Sequence, residues 1–199
     1  MANIITLTGP SHCGKSTIRQ FFMGFSSEQF KPVMFKKYTT RAERKSDDDV
    51  VHVDQIPSYC DYVYEQYGVR YGFSFDELYS LLRKGQSPII VINDVRAVED
   101  LKSALGGQVV SIFLYRKAAV LEEFIAEEME RAADSDLAAI ENNARIRFDK
   151  AKTIYRIYIE NIHLFDHTVL NVADFEQTKI QVEHIVNKMT KAVEGLIEV

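Results

Sequence analysis

The sequence predicts an α/β fold with a central, mostly parallel sheet. Short runs rich in apolar and β-branched residues alternate along the chain with longer segments in which apolar residues recur at helical spacing. Strands of a parallel sheet are buried on both faces and are therefore continuous apolar runs, and helices connect them. The 199 residues, of which 46% are hydrophobic and 27% charged, suit a single folded domain.

Five strands and six helices are predicted, each from its own pattern. The strands are short apolar runs such as NIITLT and PIIVI, and the helices are longer segments with apolar residues three or four positions apart. A polar turn rich in helix-capping residues, RAADSD, separates the fourth and fifth helices. The strands are expected at residues 3–8, 33–38, 88–92, 109–115 and 167–170, and the helices at 16–25, 75–82, 98–105, 118–130, 137–162 and 174–196.

Composition limits the possible partners. The net charge of −5 disfavours a general nucleic-acid surface, because phosphate backbones are bound through clustered Lys and Arg.

The two cysteines, Cys13 and Cys60, lack metal-site spacing and are expected to be free thiols. No apolar run approaches the roughly 20 residues that cross a bilayer and no secretion signal is evident, so a cytoplasmic protein without membrane contact is expected. The C-terminal helix is expected to pack on the core of a monomer, with a homodimer seam as the alternative.

Residues 9–16, here called the P-loop, read GPSHCGKS and match the phosphate-binding pattern G-x-x-x-x-G-K-[ST] completely. Gly9 and Gly14 allow the backbone to turn with its N–H groups pointing inward, where a side chain would block a phosphate. Lys15 brings a positive charge to the β- and γ-phosphates, and Ser16 supplies a hydroxyl for Mg²⁺. A predicted strand precedes the motif and a predicted helix follows it, as phosphate binding requires. The motif therefore predicts binding of ATP with Mg²⁺ by Gly9, Ser11, Gly14, Lys15, Ser16 and Thr17.

A missing motif and the chain length exclude two classes of P-loop protein. A GTPase needs a guanine-reading N-K-x-D segment, which the sequence lacks, and ATP-driven motors are normally larger. Phosphoryl transfer to a small phosphorylated acceptor needs only a single domain. A second basic cluster at residues 38–44, YTTRAER, suits such an acceptor, because Arg41 and Arg44 can grip a phosphate with planar guanidinium groups.

Five separated segments together resemble the guanylate kinase family. The family's opening strand and P-loop are matched by IITLTGPSHCGKST, and its T-T-R-x-x-R acceptor motif by TTRAER. Its tyrosine-glycine turn, helix and strand ending in aspartate are matched by VRYGFSFDELYSLLRKGQSPIIVINDV. The strand and helix before its ATP lid resemble VVSIFLYRKAAVLEEF, and its F-D-x-x-[IV]-x-N segment resembles LFDHTVLN. The segments follow the family's order over nearly the whole chain.

The resemblance implies a P-loop kinase with a central parallel sheet, an acceptor-binding insertion and a helical lid. It implies one domain over residues 1–199, with the core at 1–36 and 86–199, the insertion at about 37–85 and the lid at about 130–145. The implied activity is transfer of a phosphoryl group from ATP to a nucleoside monophosphate, GMP or dGMP. By the same resemblance Lys15, Arg131 and Arg145 are catalytic, Ser16 binds Mg²⁺, and Arg41, Arg44, Tyr71 and Asp94 bind the acceptor.

The positions at which the family reads guanine differ in this sequence. Lys37, a further candidate acceptor-binding residue, replaces the family's serine before the T-T-R motif. Phe73 replaces the serine or threonine after tyrosine-glycine, and Tyr62 replaces a glutamate, with Asp61 beside it as a possible substitute carboxylate. Only Asp94 remains of the base readers, although Tyr62 and Phe73 are candidates for stacking on a base.

Two alternative functions also fit the sequence. Ribose 1,5-bisphosphate phosphokinases resemble guanylate kinases but act on an acceptor that has no base and carries an additional phosphate, for which Lys37 would supply charge. Guanylate-kinase-like domains also serve as inactive modules that bind phosphorylated peptides, although such modules generally have a degraded P-loop. ATP binding without turnover would indicate a module of this kind.

Overall fold

The structure, a computed structural model, describes residues 2–10, 13–43, 48–66, 68–116, 120–131, 136–171 and 174–194. Strands and helices alternate except at two places. The described part of residues 32–73 holds five strands and no helix, and within residues 121–160 two helices follow each other with no described strand between them. The strands are β1 (Ile4–Thr8), β2 (Pro32–Met34), β3 (Lys37–Thr39), β4 (Val50–His52), β5 (Tyr62–Gln66), β6 (Val69–Phe73), β7 (Ser87–Val91), β8 (Val109–Arg116) and β9 (His167–Asn171). The helices are α1 (Lys15–Gly24), α2 (Phe75–Arg83), α3 (Val95–Leu105), α4 (Leu121–Arg131), α5 (Leu137–Glu160) and α6 (Phe175–Glu194).

A five-stranded parallel sheet forms the centre of the protein and confirms the predicted α/β fold class. Its strand order is β2-β7-β1-β8-β9, and each neighbouring pair runs parallel. All five residues of β1 are buried, because this strand lies in the middle of the sheet with helices on both faces. Since parallel strands end at the same edge, the segments that follow β1, β7, β8 and β9 are brought together there.

Successive residues of β1 contribute to different cores, as the two-residue period of a strand requires. Ile5 and Leu7 belong to the core on the side of α1 and α6, and Ile4 belongs to the core on the side of α3. The expectation that the C-terminal helix packs on the core is confirmed for its buried residues, which are Val182, Ile185, Val186 and Met189.

A second, four-stranded sheet with the order β4-β3-β6-β5 lies within residues 37–73. Strands β3 and β4 are parallel, whereas β6 is antiparallel to both of its neighbours. The sheet shares a core with α2, α3 and β7, in which Phe73 and Leu78 are fully buried. This contact places the second sheet next to the end of β7.

The single strand predicted at residues 33–38 is wrong, because the chain changes sheet within it. Strand β2 pairs with β7 in the parallel sheet, whereas β3 pairs with β4 and β6 in the second sheet. Between them Phe35 is buried and its N–H donates to the carbonyl oxygen of Ile89, while Lys36 is exposed. The other strands of the second sheet, β4, β5 and β6, were not predicted.

Helices α4 and α5 pack on each other around Phe124, Ala144 and Ala151. Arg147 on α5 forms an ion pair with the buried Glu128 on α4, at 2.6 Å. The predicted lid, residues 130–145, includes residues 132–135, which lie outside the described part of the chain. None of the helices that the structure describes is both long and apolar enough to cross a membrane.

Strand β9 lies at one edge of the parallel sheet, and a side chain of α6 pairs with it. The Leu170 N–H donates to Gln181 Oε1, and Gln181 Nε2 donates to the Leu170 carbonyl oxygen, each at 2.9 Å. The amide group of Gln181 therefore makes the two hydrogen bonds that a further strand would make at this residue.

Candidate active site

The P-loop connects β1 with α1. At each of its two glycines the surroundings require a residue without a side chain. Gly14 has a φ of 88°, in the left-handed region that favours glycine, and a Cβ there would lie 2.5 Å from Asn171 Nδ2. A Cβ at Gly9 would lie 2.7 Å from Cys13 Sγ and 2.9 Å from the Leu114 carbonyl oxygen. Both positions are therefore closed to larger side chains. Ser11 lies outside the described residues.

The first turn of α1 is open to an anion. The helix begins at Lys15, no described side chain caps it, and its first turn contains no acidic residue. The N–H groups and the positive end of the helix dipole are thus left for another partner. Ser16 and Thr17 belong to this turn, in which Ser16 is exposed and Thr17 is half-buried.

The Lys15 side chain folds back across the P-loop. Its Nζ donates to the carbonyl oxygens of Gly9 and Pro10 at 2.9 and 2.5 Å, and it lies 3.8 Å from Cys13 Sγ. Burial raises the pKa of the Cys13 thiol against the opposing effect of the Lys15 ammonium. Cys13 is therefore a protonated, packed side chain at neutral pH, and Lys15 carries the positive charge of the loop.

Two asparagines at strand ends hold the P-loop. Asn93 follows β7 and its Oδ1 accepts a hydrogen bond from the Gly9 N–H at 3.2 Å. Asn171 ends β9 and its Nδ2 donates to the Cys13 carbonyl oxygen at 3.0 Å. Neither was predicted as a site residue. The available signals were the amide of Asn93 directly after a buried apolar run and the asparagine that ends the segment LFDHTVLN. The two asparagines are positioning residues, because they contact the loop itself.

Replacing Asn93 with alanine is expected to loosen the start of the P-loop. The Gly9 N–H would lose its partner, so we expect the KM for ATP to rise about 10-fold, with a smaller change for the acceptor. Steady-state kinetics with each substrate varied in turn measures both values, and Asn187→Ala, on the exposed face of α6, is the control. Equal changes in the two KM values, or none, would contradict this role.

The second sheet carries the candidate acceptor residues. The backbone N–H of Arg41 donates to Thr39 Oγ1 at 3.2 Å. The backbone carbonyl oxygen of Arg41 contacts His52 Nδ1 at 2.7 Å. Thr39 pairs with Tyr71 across the sheet, so Arg41 and Tyr71 are held near each other. Arg44 lies outside the described residues. The half-buried Arg41 lines an open pocket of about 570 Å³ together with Thr40, Ala42, Glu43, His52, Val53 and Asp54.

Lys37 lies at the start of β3, beside these residues, and is only 7% exposed. Its Nζ donates to the Val91 carbonyl oxygen and lies 5.0 Å from the centroid of the Tyr71 ring. The pKa of Lys37 is lowered to about 8, chiefly by burial, with the positive charges of Lys15 and Arg41 adding to the shift and Asp49 opposing it. Lys37 is thus close to both basic groups.

The positions expected to read a base are engaged within the protein. Asp94 Oδ1 accepts hydrogen bonds from the Ala97 N–H at 3.0 Å and the Tyr62 hydroxyl at 3.3 Å, and so caps α3. Asp61 Oδ2 accepts from the Phe75 N–H at 2.7 Å, at the start of α2. Whether Asp61 replaces the missing glutamate stays a prediction.

The expectation that Phe73 stacks on a base is wrong. Phe73 is fully buried, and Tyr62 stacks on it with 5.5 Å between the ring centroids. The physical reason is the two-residue period of β6, which directs this side chain into the core shared with α2 and α3.

The candidate lid arginines are not brought to the P-loop by any described contact. The side chain of Arg131 lies outside the described part of the structure. Arg145 is exposed on α5, and no hydrogen bond or ion pair between described residues joins it to the P-loop. Its neighbour Arg147 is held by Glu128. The catalytic role of Arg131 and Arg145 stays a prediction.

The end of β7 connects the two halves of the site. The Val91 carbonyl oxygen accepts from Lys37, and the Ile92 carbonyl oxygen accepts from Thr8 Oγ1 at 2.7 Å. The next residues are Asn93 and Asp94, which hold Gly9 and Tyr62 respectively. Val91 and Asp94 therefore contact the second sheet, Asn93 contacts the P-loop, and Ile92 contacts the last residue of β1.

The buried Arg19 on α1 forms an ion pair with Asp48, in the segment before β4. This contact joins the helix that follows the P-loop to the second sheet.

Comparisons with known proteins agree with this architecture. The sequence matches no protein-family model, and no curated protein matches it. Among solved structures, the chain is similar to guanylate kinase from Anaplasma phagocytophilum, with a TM-score of 0.62 and 21% sequence identity. The match covers 95% of this chain and 86% of that chain. The likeness shows that this chain has a guanylate-kinase-like fold, as the predicted fold class implied.

Proposed function

We propose that this protein transfers a phosphoryl group from ATP to a nucleoside monophosphate, with GMP and dGMP as the first candidates. The observation that carries the proposal is that two basic groups lie at the same edge of the sheet. One is Lys15 at the open N-terminus of α1, and the other is the pair of Lys37 and Arg41, with the Tyr71 ring beside Lys37. Separate sites for a donor phosphate and an acceptor phosphate at one edge suit direct transfer between them.

The donor would be bound by backbone N–H groups. The left-handed Gly14 and the uncapped first turn of α1 would direct these groups at the phosphates, and Lys15 would leave its carbonyl partners to neutralise the β- and γ-phosphates. Mg²⁺ fits this site, because the Ser16 hydroxyl is exposed in the same turn and this ion is typically held by few protein ligands plus the substrate phosphates. When bound, Mg²⁺ neutralises phosphate charge. Ser16 would hold it, and Thr17 would contribute its N–H.

The acceptor would be held by its phosphate on the second sheet. Arg41, fixed by Thr39 and His52, would present its guanidinium to the phosphate, with Lys37 and Tyr71 beside it. Arg44 is proposed as the second guanidinium of this site. Closure of the second sheet and the lid would exclude water and favour attack by the acceptor over hydrolysis. Positioning and charge neutralisation would carry the reaction, without a protein nucleophile.

A coupled assay of ADP release tests this proposal. With ATP and Mg²⁺ present, the protein would be assayed against GMP, dGMP, the other nucleoside and deoxynucleoside monophosphates, and ribose 1,5-bisphosphate. We expect the highest kcat/KM with GMP or dGMP, and Lys15→Ala is the matched inactive control. Absence of turnover with every nucleoside monophosphate would overturn the nucleotide-kinase proposal.

One observation favours ribose 1,5-bisphosphate as a second candidate acceptor. Lys37 adds a positive charge beside Arg41, whereas Asp94, Asp61 and Phe73 are engaged in capping or packing. Turnover of the bisphosphate alone in the same assay would favour this candidate. Equilibrium binding of ATP without turnover of any acceptor would instead favour a binding module.

A further inference from the structure

Lys37 is a buried cation with few partners of its own. Its residue is 7% exposed, and its ammonium donates to the Val91 carbonyl oxygen beside the Tyr71 ring. An ammonium group has three donors, and among the described residues Val91 supplies the one hydrogen-bond acceptor. Burial of such a group costs free energy that a bound anion would recover. The surroundings of Lys37 therefore point to a negatively charged ligand.

Two further positive charges act on the same ammonium. Burial lowers the pKa of Lys37 most, Lys15 and Arg41 lower it further, and Asp49 opposes this shift. Like charges repel more strongly away from bulk water. Three cations around one region create a positive potential that attracts an anion with several negative charges.

The chain connects Lys37 to both sides of the site. Its partner Val91 pairs with Leu7 in β1, two residues before the P-loop starts at Gly9. In the other direction, Lys37 starts β3, which leads within four residues to Arg41. The ammonium therefore lies where the P-loop side and the acceptor side of the site meet.

We infer that Lys37 contacts the phosphoryl group during its transfer, between the donor and acceptor phosphates, and is a further catalytic residue. The inference rests on the proposed function and adds to it the role of this buried cation. In the transfer, an acceptor phosphate oxygen bonds to the γ-phosphorus, and the bond from that phosphorus to the bridging oxygen breaks. The electron pair stays on the departing ADP, and Lys37 donates hydrogen bonds without giving up its proton.

The test compares Lys37→Met, Lys37→Arg and the control Lys36→Met, which changes the exposed lysine next to it. Using the acceptor that the panel identifies, we expect Lys37→Met to lower kcat about 100-fold or more, with the KM for ATP changed less than about 3-fold. Lys37→Arg should recover part of kcat, because it keeps the charge. Lys36→Met should match the unaltered protein. Thermal unfolding of each variant shows whether it is folded.

Two kinetic outcomes would overturn the inference. A rise in the acceptor's KM with kcat intact would mean that Lys37 binds the acceptor only before transfer. Equal losses in Lys37→Met and Lys37→Arg, together with a lower melting temperature in both, would mean that Lys37 is structural.

A binding measurement separates this inference from the proposed function. The probe is a bisubstrate analogue in which adenosine and guanosine are joined through five phosphates. If no acceptor in the panel is turned over, the proposed function fails, and the inference is then judged on this probe alone. Weaker binding of the analogue by Lys37→Met, with ATP binding unchanged, would support a contact between Lys37 and the phosphates that join the two nucleosides. Equal binding by Lys37→Met and the unaltered protein would overturn it.

Discussion

Replacing Lys15 with alanine is expected to abolish phosphoryl transfer while leaving the protein folded. The side chain is partly buried, and among the described residues it contacts the carbonyl oxygens of Gly9 and Pro10 together with Cys13. Its removal would take away the charge that meets the transferring phosphoryl group, so we expect kcat/KM to fall about 10³-fold or more. Two hydrogen bonds to backbone carbonyl oxygens are lost within the protein, so the free energy of unfolding should fall by about 2 kcal/mol.

The measurement is the coupled assay together with thermal unfolding. Lys31→Ala, which removes an exposed lysine elsewhere on the surface, is the control and should behave as the unaltered protein. If Lys15→Ala kept more than a few per cent of the activity, the P-loop would not be the donor site. A large drop in the melting temperature would instead assign Lys15 a structural role.

Replacing Arg41 with alanine should affect the acceptor and spare ATP. Arg41 belongs to the turn after β3, where Thr39 and His52 fix its backbone, and it lines the 570 Å³ pocket. A guanidinium bound to phosphate makes paired, charge-assisted hydrogen bonds. We therefore expect the acceptor's KM to rise about 100-fold, with the KM for ATP changed less than about 3-fold.

The matched control for this variant is Arg70→Ala. Arg70 is an exposed arginine on β6 of the same sheet, and its contacts with Thr39 and Thr40 are made by its backbone. Removal of its side chain should leave both KM values unchanged. An equal rise of the two KM values in Arg41→Ala would contradict the placement of Arg41 at the acceptor.

The central sheet could be predicted because its strands are buried on both faces. A run such as Ile4–Thr8, entirely buried, needs apolar residues at nearly every position. The second sheet has one exposed face, so its strands mix polar and apolar residues; β5, for example, alternates between half-buried, exposed and buried positions. Gly68, with a φ of 74° between β5 and β6, was the available turn signal.

The change of sheet after β2 could not be read from the sequence. No glycine or proline separates Met34 from Lys37, and both halves have residues suited to strands. Only tertiary contacts, such as the hydrogen bond from Phe35 to Ile89, determine where the first half ends.

Some residues of the candidate site could likewise be predicted from the sequence, and others could not. The P-loop glycines were predictable, because a fixed spacing reports the backbone geometry that phosphates require. The role of Asn93 was not, since its contact with Gly9 joins residues 84 positions apart. The burial of Lys37 was equally hidden, because lysine is rarely buried and its cover comes from β7 and Tyr71.

The pairing of Gln181 with Leu170 also limits how copies of the chain can assemble. Joining two sheets edge to edge through β9 would first require both of these hydrogen bonds to break, at a net cost of about 1 kcal/mol each. At this residue the incoming strand would then only replace the two hydrogen bonds that Leu170 already makes with Gln181. A continuous sheet that joins two copies through β9 is therefore disfavoured at this residue.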